Sequence, residues 1–583
     1  MGTISDKLMR VINTKEDIRQ ALISKGYNVP TSIPFKEYAK MISDLPCRVD
    51  SFPDIEGIVA RYSALGLTNE QMAANPVWVD KTGNGHDIQL KNFSWKGMSG
   101  VGGYTENYNS NKWYKIESRI DVIWIYKSFN ARSIKDNRSA QLFYQSSLSD
   151  TGFRVLSCTI KVSGLTDGQG IEYVSNGTQQ FVIMRIENDG IYHLPSFDFG
   201  AKNAYYGFKF LKLQESCNIT IEQLPLYPGA LVFDGVDDYG TCDNFPILTK
   251  EKGYTVVALR QWDQDFLNTT LTGGLLSTRN YSTGEGVAFE KIESSNKGYW
   301  NLGAGGIIDF AKSPFTWQTS KQYNNVGILK GNKNHGKPLC VGCGLSGGQQ
   351  CGRFAIWELV FLDHDATEEE LTKIKDYFVK TYPWLFPDQA WTVVGKTNED
   401  EDRATIANIT GNGNDLVLSN FGFAEGSGYN EEGEYAGYLV TDGVDDKITS
   451  SIFKMGNDWT VIGDWELINT GKNDNAGIVK FDSIVIYNYN PILINIKNGR
   501  NNLIPDQNTV NAICSDGRIY SKDWKESIYN EETESTSKNF LTIGYSGNAY
   551  TKIAFKNLAI YPTVLSREDC IKAYNYLQTL KAK

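Results

Sequence analysis

Histidine is scarce in this chain, with four in 583 residues: His86, His193, His335 and His364. A serine or cysteine nucleophile needs a base held beside it, and nothing in the sequence marks such a pair. The 68 acidic residues offer many accidental carboxylate pairs, but the Glu-X-Asp-X-X-Glu signature of sandwich-fold glycosidases is missing. The expectation is therefore a chain that is not an enzyme, with no catalytic residue and no cofactor. Clustered basic residues are also missing. A net charge of −10 and a pI near 5.2 without a basic stripe argue against nucleic acid, whose binding rests on Lys and Arg neutralising phosphates. No apolar run reaches about 18 residues, so no membrane insertion is expected. The opening residues Met1 to Lys7 lack the basic and apolar regions of a signal peptide, which points to synthesis in a cytoplasm. Nine cysteines, an odd number scattered over all regions, do not resemble a disulfide framework, so reduced thiols are expected.

What the chain does contain is a long internal repeat. Thr82-Gly83-Asn84-Gly85-His86-Asp87 returns as Thr410-Gly411-Asn412-Gly413-Asn414-Asp415, 328 positions on (82 to 410). Each is followed by an alternating apolar stretch ending in Asn-Phe. Leu231-Val232-Phe233-Asp234-Gly235-Val236-Asp237-Asp238 returns as Leu439-Val440-Thr441-Asp442-Gly443-Val444-Asp445-Asp446, only 208 positions on (231 to 439). The first copy thus carries 120 more residues between its two motifs. Ala355, Leu359, Thr367 and Tyr377 match Ala554, Leu558, Ser566 and Tyr576 at a constant offset of 199. A period this long is a duplicated domain, since solenoid units run roughly 20 to 50 residues.

Four regions follow. Residues 1–48 read as two helices: Thr14 and Asp17 form a capping pattern, Ile18, Ala21 and Leu22 an apolar face, and Gly26 a stop. The second helix begins at Pro34 and carries Phe35, Tyr38, Ala39 and Ile42. So short a piece buries too little to stand alone, which makes it a docking segment or an oligomerisation element. Residues 49–104 with 226–388 form one β-domain, 105–225 an inserted β-domain, and 389–583 the second copy. Aromatic content of 12% and 55 glycines suit β-structure built of short strands and turns. Each copy ends in a strand, a turn and a helix capped by Thr367 with Glu370, or by Ser566 with Asp569.

The Thr-Gly-Asn-Gly turn, the Phe-Asp-Gly-Val-Asp-Asp-Tyr strand and turn, and the closing Leu-Ala-Ile-Tyr-Pro-X-X-Leu-Ser segment resemble laminin-G or concanavalin A-like domains. The terminal strand and helix are most similar to versions in virion proteins of tailed bacteriophages, notably the crAss-like phages, and residues Thr14 to Ile23 and Phe35 to Ala39 resemble the head of phage fibre and tail proteins. The resemblance implies a mainly β fold: two jelly-roll β-sandwiches, one carrying an inserted β-sandwich, after a short helical segment. It further implies a structural virion component, made in the host cytoplasm and forming a homo-oligomer. Residues 1–48 would meet other virion proteins, and the sandwiches host-surface glycan or another virion protein. A secreted or cell-surface polysaccharide-binding protein is the alternative, and a capsule-degrading enzyme a third.

Two residue groups invite a metal reading. Cys340-Val341-Gly342-Cys343, with Cys351 and His335 nearby, has a zinc-like spacing. Its counterpart in the second copy is Leu541-Thr542-Ile543-Gly544-Tyr545, however, and residues three apart on a strand face opposite ways, so structural thiols are expected. Asp234, Asp237 and Asp238, and Asp442, Asp445 and Asp446, could offer oxygens to calcium. A shared Asp-Gly turn with solvated acids explains them equally, and no metal is expected. Trp95, Trp113, Trp124, Tyr205 and Tyr206 could stack on sugar rings but read as sheet-packing residues.

Overall fold

The computed structural model describes Lys15 and Arg19, both helical, and most residues from Phe52 to Ala582; the longest interruption is 310–338. The rest of the two expected N-terminal helices, and His335, lie outside the described residues. Contacts divide the chain into Met1–Asp54 and Ile55–Lys583. The second unit is mainly β, in keeping with the expected sandwich class.

The strand Arg353–Leu362 is the axis of the first sandwich. Ile58–Ser63 pairs with its C-terminal half, Leu231–Asp234 with its N-terminal half, and Thr255–Trp262 along almost its whole length. The second copy repeats the plan around Ile553–Tyr561, with Gln389–Thr392, Tyr438–Val440 and Thr460–Leu467 in the matching places. A second sheet closes each sandwich over its own core. In the first copy the core gathers Tyr62, Trp78, Phe233, Trp262, Phe354 and Phe361; in the second, Trp391, Trp459, Trp465, Phe555 and Ile560. Burying one such side chain contributes about 1.5–3 kcal/mol.

A β-bulge sits at the same point of both axial strands, opposite Leu259/Arg260 and opposite Asp464/Trp465. It shifts the period-2 alternation by one residue. Phe354, Ile356, Leu359 and Phe361 therefore all face one core, and Ile553, Phe555, Leu558 and Ile560 the other. Trp357 with Glu358, and Lys556 with Asn557, fall outside these rows, on the opposite face of the sheet.

The helices Glu368–Thr381 and Arg567–Leu577 follow the axial strands. Thr367 and Glu370 complete a reciprocal capping box at the first, and Ser566 Oγ accepts from Asp569 N (3.1 Å) at the second. The two sandwiches are packed against one another. Trp357 meets Tyr576 edge-on with ring centroids 6.1 Å apart, Gln261 Nε2 donates to Thr579 Oγ1 (3.2 Å), and Tyr561 Oη donates to Trp384 O (3.0 Å).

The extra residues of the first copy arise inside a hairpin. Gly100–Val101 pairs with Leu231–Val232, and Gly102 N donates to Ala230 O. In the second copy the equivalent strands Gly428–Asn430 and Tyr438–Val440 are neighbours joined by residues 431–437. The chain thus leaves and rejoins the first sandwich through adjacent strands. Between them stand two five-stranded sheets over a core of Tyr108, Trp113, Phe129, Phe208 and Phe210.

Candidate functional site

Each Asp-rich motif forms a turn at the end of a sheet strand. In the first, Gly235 adopts φ 76°, and a Cβ there would stand 2.7 Å from Arg353 Cβ, so glycine is required. Asp234 Oδ1 accepts from Val236 N (2.8 Å), and Asp238 Oδ2 accepts from Asp234 N (3.0 Å). Asp238 Oδ1 accepts from Ser99 Oγ (2.9 Å), and Asn92 Nδ2 donates to Asp237 O (3.1 Å). The second copy reproduces the network with Asp442, Val444, Asp446, Ser427 (3.1 Å), Asn420 and Asp445.

The three carboxylates of each loop lie within 4.8 Å of one another. Like charges this close repel, and protonation relieves them. Burial, then Asp234, pushes Asp238 up to about 8; burial does the same for Asp446, to about 6. Asp234 and Asp442 organise the turn, Asp238 and Asp446 tie it to the neighbouring loop, and Asp237 and Asp445 are exposed. Between the acids, Val236 is 74% and Val444 70% exposed.

The cysteines differ from expectation. Gly342, at φ 93°, ends the strand Leu339–Val341 before Cys343–Leu345 begins, so Cys340 and Cys343 do not lie on opposite faces of one regular strand. Their sulfurs are 3.1 Å apart. Cys351 lies directly across from Cys343 in the next strand, and all three thiols are buried against Tyr239. The second copy breaks at Gly544, φ 76°, between Leu541–Ile543 and Tyr545–Ser546.

His193 is a residue that sequence reasoning passed over. It stands on the inserted domain, with Nδ1 3.2 Å from Thr159 Oγ1 and Nε2 3.4 Å from Lys556 Nζ of the second sandwich. Its ring meets Tyr574 edge-on at 6.2 Å. Lys556 is the bulge residue; its Nζ lies 3.9 Å from Asp464 Oδ2, which also accepts from Gln578 Nε2 (3.1 Å). Tyr438 Oη donates to Asp464 Oδ1 (3.1 Å). Burial lowers the Lys556 pKa. The slip in apolar alternation around Lys556 was the available signal for an outward-facing residue there. The other described histidines are separate: His86 packs on Phe245, and His364 lies between Asp363 (3.3 Å) and Glu370 (3.1 Å).

The aromatic candidates are packing residues. Trp113 and Tyr206 are buried in the core of the inserted domain, Trp124 packs on Phe129, Trp95 stacks on Phe93 and Tyr205 leans on Phe143.

No protein-family model and no curated protein matches the chain. Solved structures that match include the Trypanosoma rangeli sialidase, at 8% identity and a TM-score of 0.25 over 78% of this chain and 93% of that one. The same sialidase in complex with sialic acid matches at 7% identity and a TM-score of 0.25, over 82% of this chain and 97% of that one. The expectation that the chain is not an enzyme is corrected here, because these matches are structures of enzymes. At such identities and TM-scores the likeness carries no substrate, catalytic residue or mechanism over to this chain.

Proposed function

We propose that the chain is a component of a particle surface, the virion of a tailed phage, in which residues 1–48 dock onto other virion proteins and the paired sandwiches meet host-surface glycan. The observation that supports this reading is the duplicated loop. Both copies hold the same Asp-Gly-Val-Asp-Asp turn with the same hydrogen bonds, and each exposes a valine beside a free-facing acid. An apolar tip beside a carboxylate suits the mixed C–H and hydroxyl surface of a sugar. One such shallow contact binds weakly, while several copies on one particle raise avidity by about a hundredfold or more.

The test compares particles that carry the chain with particles that lack it, on host cells and on purified host polysaccharide. Binding that depends on the chain supports the glycan role; identical binding by both removes it. A chain lacking residues 1–48 is expected to fold its sandwiches and to be left out of particles, and normal incorporation would reject the docking assignment.

A further inference from the structure

We infer that Cys340 and Cys343 are a disulfide-forming pair, and that Cys351 is the outer thiol through which an external disulfide reaches them. Three observations carry this. The Cys340 and Cys343 sulfurs are 3.1 Å apart, so closing to a bond of about 2.05 Å takes a movement of roughly 1 Å. Gly342 supplies the left-handed turn that faces them together, at φ 93°. Cys351 stands opposite Cys343 in antiparallel register, on a strand whose Gln349 and Gln350 are exposed. All three are buried, Cys351 the least so, at 6% exposed against 1% for Cys340 and none for Cys343.

The chemistry is thiol–disulfide exchange. The Cys351 thiolate attacks a small disulfide R–S–S–R, forming a mixed disulfide and releasing one thiolate, which takes the proton Cys351 gave up. Cys343, losing its proton, displaces the second R–S group and bonds to Cys351. Cys340 then attacks the Cys343 sulfur, and Cys351 leaves as a thiol again. The net change removes two hydrogens from the protein and reduces R–S–S–R to two R–SH. The hydrogen bond from Cys343 holds the Cys351 pKa down, which favours the attacking form, while its hydrogen bonds to Cys340 and Cys351 push Cys343 up, so Cys343 gives up its proton only after Cys351 has reacted. Cys514 and Cys570 also touch through their sulfurs, but both are fully buried, and among the described residues no less buried thiol stands beside them. The second copy carries Thr542 and Tyr545 at the positions of Cys340 and Cys343, so the staple belongs to the first sandwich alone.

The experiment treats the folded full-length chain with oxidised glutathione, quenches in acid, and alkylates in denaturant. All three cysteines fall in one tryptic peptide, because Lys337 precedes Pro338 and the next cleavable residue is Arg353. The expected peptide has lost two hydrogens and carries one alkyl group, on Cys351. Cys351→Ser should form the same bond about tenfold or more slowly, and Cys343→Ser should not form it. If Cys343→Ser fails to fold, the wild-type peptide alone decides. Three alkyl groups after oxidation, an alkyl group on Cys340, or one tightly held zinc per chain that blocks alkylation would each overturn the inference.

Discussion

The two sandwiches share a backbone device and differ in what they place on it. At the bulge of the first axial strand, Glu358 is wholly buried and accepts from Arg61 Nε (3.2 Å) and from Tyr382 Oη (2.7 Å); Arg61 Nη2 also donates to Tyr377 Oη (2.8 Å). At the second bulge Asn557 takes the place of Glu358 and Ala390 that of Arg61. Its buried Nδ2 and Oδ1 have no hydrogen-bond partner. The neighbouring positions diverge too: Trp357 packs on Tyr576 of the other sandwich, whereas Lys556 reaches His193 of the inserted domain. The bulge turns two adjacent side chains outward, and each copy uses them for a different contact. One scaffold thus serves an internal ion pair in one place and a domain junction in the other.

The largest effect is expected from Glu358→Gln, which leaves Arg61 buried without its carboxylate. Losing one partner of a buried pair costs about 3–5 kcal/mol, so hydrogen exchange should report early opening of the first sandwich while the second stays protected. Asn557→Leu should change the second sandwich by less than about 1 kcal/mol, or stabilise it, since an unpartnered buried amide is a liability of roughly 1–3 kcal/mol. Equal losses from both substitutions would show the two outer faces to be equivalent.

A middle-sized effect is expected from replacing residues 104–226 by the short connection 431–437. The first sandwich should keep its resistance to limited proteolysis. The second should lose protection around Lys556, because His193 no longer covers it. Proteolysis of residues 227–388 in this variant would contradict the hairpin insertion.

The repeat was legible because its motifs are turns, in which glycine and asparagine are fixed by backbone conformation: Gly83 and Gly411 at φ 80° and 78°, Asn92 and Asn420 at φ 67° and 70°. The β class was legible from alternation. The junction was not, because His193 and Lys556 lie 363 positions apart and the repeat does not share the lysine: its counterpart in the first copy is Trp357. The thiol cluster was misplaced for a local reason: a strand was assumed to run through Gly342, where the chain turns.

pH separates the two Asp loops. A carboxyl whose pKa is raised by folding adds stability that is fully present below its ordinary value of 3.8 and is lost as pH rises through the folded value. For Asp238 the loss extends to about 8; for Asp446 it ends near 6. Chemical unfolding followed from pH 4 to 9 should therefore show the longer decline in the first sandwich, and Asp238→Asn should flatten it. An unchanged slope would place the titration elsewhere.

A smaller effect of the same sign belongs to His364. Burial works against its charge, but hydrogen bonds to Asp363 and Glu370 outweigh it and leave the pKa raised. Its contribution is present below 6.5 and is lost as pH rises through the raised value. His364→Gln should remove that shallow step without altering the fold by circular dichroism.

The most direct measurement uses the full-length chain displayed in many copies on beads, with host polysaccharide as ligand. It is compared with a double variant, Val236→Ser and Val444→Ser, that keeps both turns. The displayed wild-type chain should be retained, each single substitution should reduce retention, and the double variant should nearly lose it. Equal retention of wild type and double variant would contradict the glycan role.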